Sequence, residues 1–219
     1  LLSRGLGDVY KRQLFDACVM SSIEALYDLR GCADRIIASP CEVMAAGFNY
    51  TDILPHLLAD AGTSYDLPGV CSEYYDYYMN RATTKSGCIA LTVTGELEPL
   101  AAIVKEIETK YPGKTYDRAS LQTYEGLDEH VFYDLQGYIE AICDEKDPLL
   151  DKFRAQMGKA FPTESRLHTP SFYSVYGLGD APNGMHTIED GKYSGVTTSA
   201  PCERFAPEWA QTSWYRATH

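Results

Sequence analysis

Apolar and polar positions fall into blocks whose period changes along the chain, and the changes mark out strands and helices. Leu14-Phe15 leads into Asp16-Ala17-Cys18 and reads as a strand over 14–18. Ser21 with Glu24 three residues later has capping-box spacing. Ile23, Leu26, Tyr27 and Leu29 then give a helix one apolar face, and Gly31 ends it. Arg35 to Ser39 is a short buried strand stopped by Pro40. Strand, helix and strand this close together form a βαβ unit with its two strands parallel, and ligands bind at the C-terminal edge of such sheets. Cys18 and the 39–50 loop both fall at that edge.

The same reading continues downstream. A helix from Thr51 turns Ile53, Leu54, Leu57 and Leu58 inward, and one from Ser72 carries Tyr74, Tyr75, Tyr77, Tyr78 and Met79. That tyrosine face is assigned to packing against the sheet rather than to a ligand platform. Cys88 to Val93 is the clearest strand, followed after Gly95 by a helix to Lys110. A helix from Asp134 and one capped by Asp147-Pro148 come next. Strands at 173–176 and 194–197 follow, and a helix from Pro207 presents Trp209, Trp214 and Tyr215 inward. The alternation predicts an α/β fold with a mostly parallel sheet and a small α+β C-terminal part.

Composition narrows the picture. A chain of 219 residues buries roughly 70% of its unfolded surface as one domain, so neither disulfide nor metal is needed to hold it. Net charge is −12, which excludes a basic nucleic-acid face and suits a cationic peptide or protein partner. No apolar run approaches the length of a membrane span. Residues 1–13 lack periodicity and are net basic through Arg4, Lys11 and Arg12 against Asp8. They resemble translated adapter sequence, so they are set aside from the fold, and the natural N-terminus is expected to be missing.

Seven cysteines, with no C-x-x-C pair and no Cys/His cluster at zinc spacing, read mostly as small core residues, with one or two bridges left open. Cys18 stands apart because a thiol at a strand-to-helix junction is placed for nucleophilic chemistry, although a lone cysteine is more often buried. A nucleophilic cysteine needs an imidazole. The chain has His56, His130, His168, His186 and His219, all downstream, whereas caspase-type enzymes carry the histidine about 50 residues before the cysteine. Either the partner precedes Leu14 or a downstream histidine serves. Two other readings compete: a carboxylate-pair hydrolase, for which no spacing singles out a pair, and a non-catalytic binding domain with an acidic, tyrosine-rich surface.

The run Leu14 to Arg30, then Ala33-Asp34, Ile36 to Ser39 and Gly47-Phe48-Asn49-Tyr50, resembles the clostripain family of cysteine peptidases, relatives of caspases, legumains and gingipains. Tyr193 to Thr197 and Gln211 to Tyr215 look like the closing segments of bacterial members. The resemblance implies a caspase-like α/β/α sandwich, of which residues 14–219 form the C-terminal portion of one domain. It implies endopeptidase cleavage after arginine or lysine by a Cys-His dyad through an acyl-enzyme. Cys18 matches the nucleophile, with its own amide as an oxyanion donor. Asp16 matches an acid at the base of the pocket for the residue before the cleaved bond, and Glu42 is a second acidic wall. Many relatives carry an acid just before the glycine of the Gly-aromatic loop, where this chain has Ala46. The family's histidine lies upstream, so this chain alone is expected to be inactive, and the alternative is a peptidase-like binding protein. No cofactor is required by the sequence, and calcium enters only because some members depend on it. A peptide or protein substrate and export from the cell complete what the resemblance implies.

Overall fold

The computed structural model describes residues 12–58, 65–176 and 182–219. Most of the basic tail, residues 1–11, lies outside the described residues. The described strands are β1 (Arg12–Leu14), β2 (Arg35–Ala38), β3 (Cys88–Val93), β4 (Tyr133–Asp134), β5 (Arg166–His168), β6 (Ser171–Tyr173), β7 (Met185–Thr187) and β8 (Thr197–Thr198). The helices are α1 (Ile23–Leu29), α2 (Tyr50–Leu57), α3 (Leu67–Asp76), α4 (Leu97–Lys110), α5 (Leu135–Ile142), α6 (Pro148–Ala160), α7 (Ala206–Trp209) and α8 (Ser213–Thr218).

The main sheet runs β1-β2-β3-β5. Strand side chains alternate between its faces, so Ile36 and Ala38 enter one core and Ile37 the other. The first core gathers α1, α4, α5, α6 and α8 through Leu26, Leu100, Ile139, Phe153 and Trp214. The second packs Ile53 of α2 and Val70 and Tyr74 of α3 against Ile89 and Leu91. Helices thus cover both faces, which is why β2 and β3 read as nearly continuous apolar runs. Tyr74 and Tyr78 are buried among them, as the sequence suggested.

β1 and β2 are parallel, with Leu14 opposite Ile37, and α1 makes the crossover. The remaining pairings, β2 with β3 and β3 with β5, are antiparallel, so among the described residues the sheet is mixed rather than mostly parallel. The cause is the β2-to-β3 connection, which holds two helices. Arg81, just beyond α3, bonds Asp52 at the start of α2 at 2.5 Å, and His56 near the end of α2 meets Asp66, the α3 cap, at 2.8 Å. Two antiparallel passes bring the chain back to the end of the sheet it left, so β3 must run opposite to β2.

Several local expectations shift. Arg12 and Gln13, set aside with the tail, belong to β1, which ends at Leu14 instead of reaching Cys18. Ser22, not Ser21, caps α1 by accepting from Ala25 N–H. Glu24 makes no capping box; its buried Oε1 accepts from the Thr198 hydroxyl, Ser199 N–H and Trp209 Nε1, tying the C-terminal segment to α1. Burial pushes the Glu24 carboxyl up. On α2 only Ile53 is buried; Leu54 and Leu58 are exposed because Asp52 and His56 turn the opposite face toward α3. The C-terminal strands also move, to 171–173 and 197–198. Asp134 accepts both the N–H and the hydroxyl of Ser194 (2.8 and 2.7 Å), and Gly195 kinks at φ +78°, which delays pairing to Thr197–Thr198.

Trp214 of α8 is 2% exposed and meets Tyr27 of α1 edge-on at 5.4 Å. Trp214→Ala is expected to lower unfolding free energy by roughly 3–5 kcal/mol, read from urea denaturation. A loss below about 1 kcal/mol would mean that the C-terminal helix is not part of the core.

Candidate active site around Cys18

Beyond β1 the ladder lasts one more residue, Phe15 N–H donating to Ile37 O at 2.9 Å, and the chain then bulges outward through Asp16, Ala17 and Cys18. Two lateral bonds bring it back: Val19 N–H to Cys41 O (2.9 Å) and Ser21 N–H to Ser39 O (3.0 Å). Between them Val19 adopts φ +52°, a left-handed conformation that a β-branched residue rarely takes. The outcome is an exposed Cys18, whereas Cys41, Cys71, Cys88, Cys143 and Cys202 are buried. The Cys18 thiol lies against Val43, whose N–H donates to Sγ at 3.3 Å. Cys18's own N–H donates to no protein group among the described residues. α1 begins at Ile23, so the helix start lies five residues past Cys18 and not beside it, as the strand-helix reading had assumed.

Asp16 is exposed, not buried. Its Oδ2 accepts from Phe48 N–H (3.4 Å) and the Tyr50 hydroxyl (3.0 Å), while Oδ1 has no donor among the described residues. Desolvation, and then this bond to Asp16, raises the Tyr50 phenol above its ordinary value. The approach depends on Gly47, at φ +63°, where a Cβ would lie 2.7 Å from Asp16 Oδ2. Tyr78 fixes the loop from behind by donating to Gly47 O at 2.8 Å. Glu42 is half-buried and serves another segment: its Oε1 accepts from the Ser174 hydroxyl (2.7 Å) and Val175 N–H (2.9 Å). Ser174 Oγ in turn accepts from Gly126 N–H.

The structure therefore brings Cys18, Asp16 and Glu42 to one sheet edge, as the sequence suggested. No histidine joins them. His56 bonds Asp66, His130 bonds Glu125, His168 bonds Thr169 O and His219 bonds Thr218, while His186 stacks on Phe172. Val43 and Tyr78 escaped the sequence reading. Val43 acts through its backbone and leaves no side-chain signal, and Tyr78 looked like any packed aromatic. Among the described residues no three His, Cys, Asp or Glu side chains gather to hold a metal ion.

Residues 12–177 match the model of the clostripain family. The chain belongs to that family. A clostripain from Bacteroides thetaiotaomicron, solved with the peptide inhibitor BTN-VLTK-AOMK, is 33% identical over 100% of this chain and 92% of that one, with a TM-score of 0.83. A second structure, of a secreted C11 cysteine protease from the same species, is also 33% identical at TM-score 0.83; this chain spans 59% of its length. A cysteine protease of B. fragilis is 26% identical over 99% of this chain and 91% of that one, at TM-score 0.82. None of the curated proteins compared matches. The α/β caspase-like architecture of the clostripain family is thus the fold of this chain.

Two outcomes follow from the clostripain-family site. Gly47→Ala forces a side chain into a left-handed conformation and against Asp16, and is expected to cost about 1–2 kcal/mol in thermal or urea unfolding. The second concerns Glu125, whose carboxylate accepts from Leu127, Val131 and Phe132 N–H and from His130, shaping the loop that reaches Ser174 and Glu42. Burial opposes ionisation of Glu125, but those bonds hold it below its usual range, and the Glu125 bond raises His130. A raised histidine contributes stability below its unfolded value near 6.5 and loses it as pH rises through its folded value; a lowered glutamate loses its contribution as pH falls through its folded value. Exchange protection of the Val131 amide is therefore expected to peak between those limits. Protection rising steadily to pH 9 would contradict the pairing.

Proposed function

We propose that the intact protein is an exported cysteine endopeptidase that cleaves after arginine or lysine. The observation that carries this reading is the state of two carboxylates beside an exposed thiol. Asp16 and Glu42 each spend one oxygen on protein donors and keep the other free of any donor among the described residues. A guanidinium or ammonium group would complete both. The lysine that ends the VLTK inhibitor of the B. thetaiotaomicron relative is consistent with that chemistry, and the relative described as secreted supports export. No helix among the described residues is long and apolar enough to cross a membrane.

In this mechanism the Cys18 thiolate attacks the scissile carbonyl, with the Val43 N–H beside the sulfur and the uncommitted Cys18 N–H facing the developing oxyanion. The leaving amine takes a proton from an imidazolium, and water then hydrolyses the thioester. Because none of the five histidines bonds Cys18, we assign the base to a histidine outside these 219 residues. The chain alone is therefore expected not to turn over, since a general base is commonly worth about 10² to 10⁴ in rate.

The test uses the full-length protein and arginyl, lysyl and glutaminyl peptide amides. Cys18→Ala is expected to abolish hydrolysis, and full activity in that variant would overturn the nucleophile assignment. Asp16→Asn is expected to lower kcat/KM for arginyl and lysyl peptides about 10-fold, about 1.4 kcal/mol, with little change for the glutaminyl peptide. Equal losses on all three would remove Asp16 from the specificity pocket. Binding without hydrolysis by the full-length protein would favour the peptidase-like binding reading.

A further inference from the structure

Cys41 lies in the loop that holds the Cys18 thiol, and the peptidase reading makes no use of its side chain. Cys88 is the first residue of β3, and Cys41 lies three residues past the end of β2, the strand that pairs with β3. Both thiols enter one small buried cluster with Tyr124, Phe172 and Ile188, at 1% and 3% exposure. Both are free in this structure.

We propose that Cys41 and Cys88 are a disulfide-forming pair that closes when the chain folds in the presence of a small-molecule disulfide. In the reaction a Cys41 or Cys88 thiolate attacks the oxidant's S–S bond, and the partner thiolate then displaces the mixed disulfide. One protein S–S bond forms, the oxidant's S–S bond is lost, and the oxidant leaves as two thiols carrying the two protons. Timing follows from burial. Enclosure, and then the neighbouring thiol, pushes the Cys41 thiol well above its ordinary value, so the folded core resists exchange and the bridge must close before the core does. Once closed, it ties the Cys41-Glu42-Val43 loop to the start of β3. That loop supplies the acceptor for Val19 N–H and the donor to Cys18 Sγ. The pairing is independent of peptidase activity, and its test needs no substrate.

The reduced, unfolded chain is refolded in a mixture of reduced and oxidised glutathione, quenched with acid, alkylated in urea without reductant, and digested. The expected map joins the Cys41 and Cys88 peptides with the loss of two hydrogens, leaves Cys71, Cys143 and Cys202 alkylated, and shows glutathione only on exposed Cys18 and Cys32. The bridged protein is expected to unfold at a higher urea concentration than the reduced one. Cys88→Ala refolded in the same way is expected to leave Cys41 alkylated. Cys41 and Cys88 both alkylated in the refolded wild-type chain would overturn the proposal, as would a bridge joining either of them to another cysteine. The same map made on protein folded in an oxidising bacterial periplasm decides the question without refolding.

Discussion

Two hydrogen bonds, from Val19 N–H to Cys41 O and from Ser21 N–H to Ser39 O, are what the site depends on. They take over where the β1–β2 ladder stops and fasten two loops side by side at the end of a parallel pair. A non-glycine residue at φ +52° costs on the order of 1–3 kcal/mol, and two backbone bonds of about 1 kcal/mol each are of the size needed to offset it. The strain has a geometric product. Because the chain must reverse at Val19 to recover its bond to Cys41, the preceding residue is thrown outward, and that residue is Cys18.

The second loop is braced from the helical layer behind it. Tyr78 sits in a π-helical turn that extends α3, and its ring packs in the same core as Ile37 and Leu91 while its hydroxyl reaches Gly47 O. Gly47, Phe48 and Tyr50 then determine where Asp16 points. Core packing is in this way transmitted to the carboxylate of Asp16, two residues from Cys18, by one tyrosine and one glycine. Glu125 and Ser174 do the same for Glu42 through a chain of buried and partly buried hydrogen bonds. Each acid is positioned by a different part of the fold, so the two need not move together.

Elements with strong periodicity and clear punctuation were legible in the sequence. β3 and α4 fall where the apolar pattern put them, and Asp147 caps α6 with Pro148 in its first turn. The βαβ unit and the meeting of Cys18 with the 39–50 loop were legible for the same reason. Strand direction was not, although both helices of the β2-to-β3 connection were, because periodicity places each helix without showing that the two run antiparallel on one face and return the chain to the end of the sheet it left. The capping box failed because Glu24 finds better partners far away in sequence, at Thr198 and Trp209. Within the site, residue types were legible and exposure was not. Asp16 looks like a buried acid only if Cys18 ends a strand; the outward bulge at Val19 puts both in solvent.

Charge alone would never have singled out Asp16 and Glu42 among 31 acidic residues. Their surroundings do. Asp52, Glu98, Glu140 and Glu203 each meet an arginine, and Asp147 meets Lys110, which with Tyr111 holds its carboxyl down at about 2. No cationic side chain among the described residues pairs with Asp16 or Glu42, even though each is held in place by neutral donors. Glu24 and Asp134 are held by neutral donors in the same way, and what sets Asp16 and Glu42 apart is their place at the sheet edge that carries Cys18. Two acids fixed by neutral donors, without a protein cation among the described residues and at the same sheet edge as an exposed thiol, are what the proposed preference for arginine or lysine rests on.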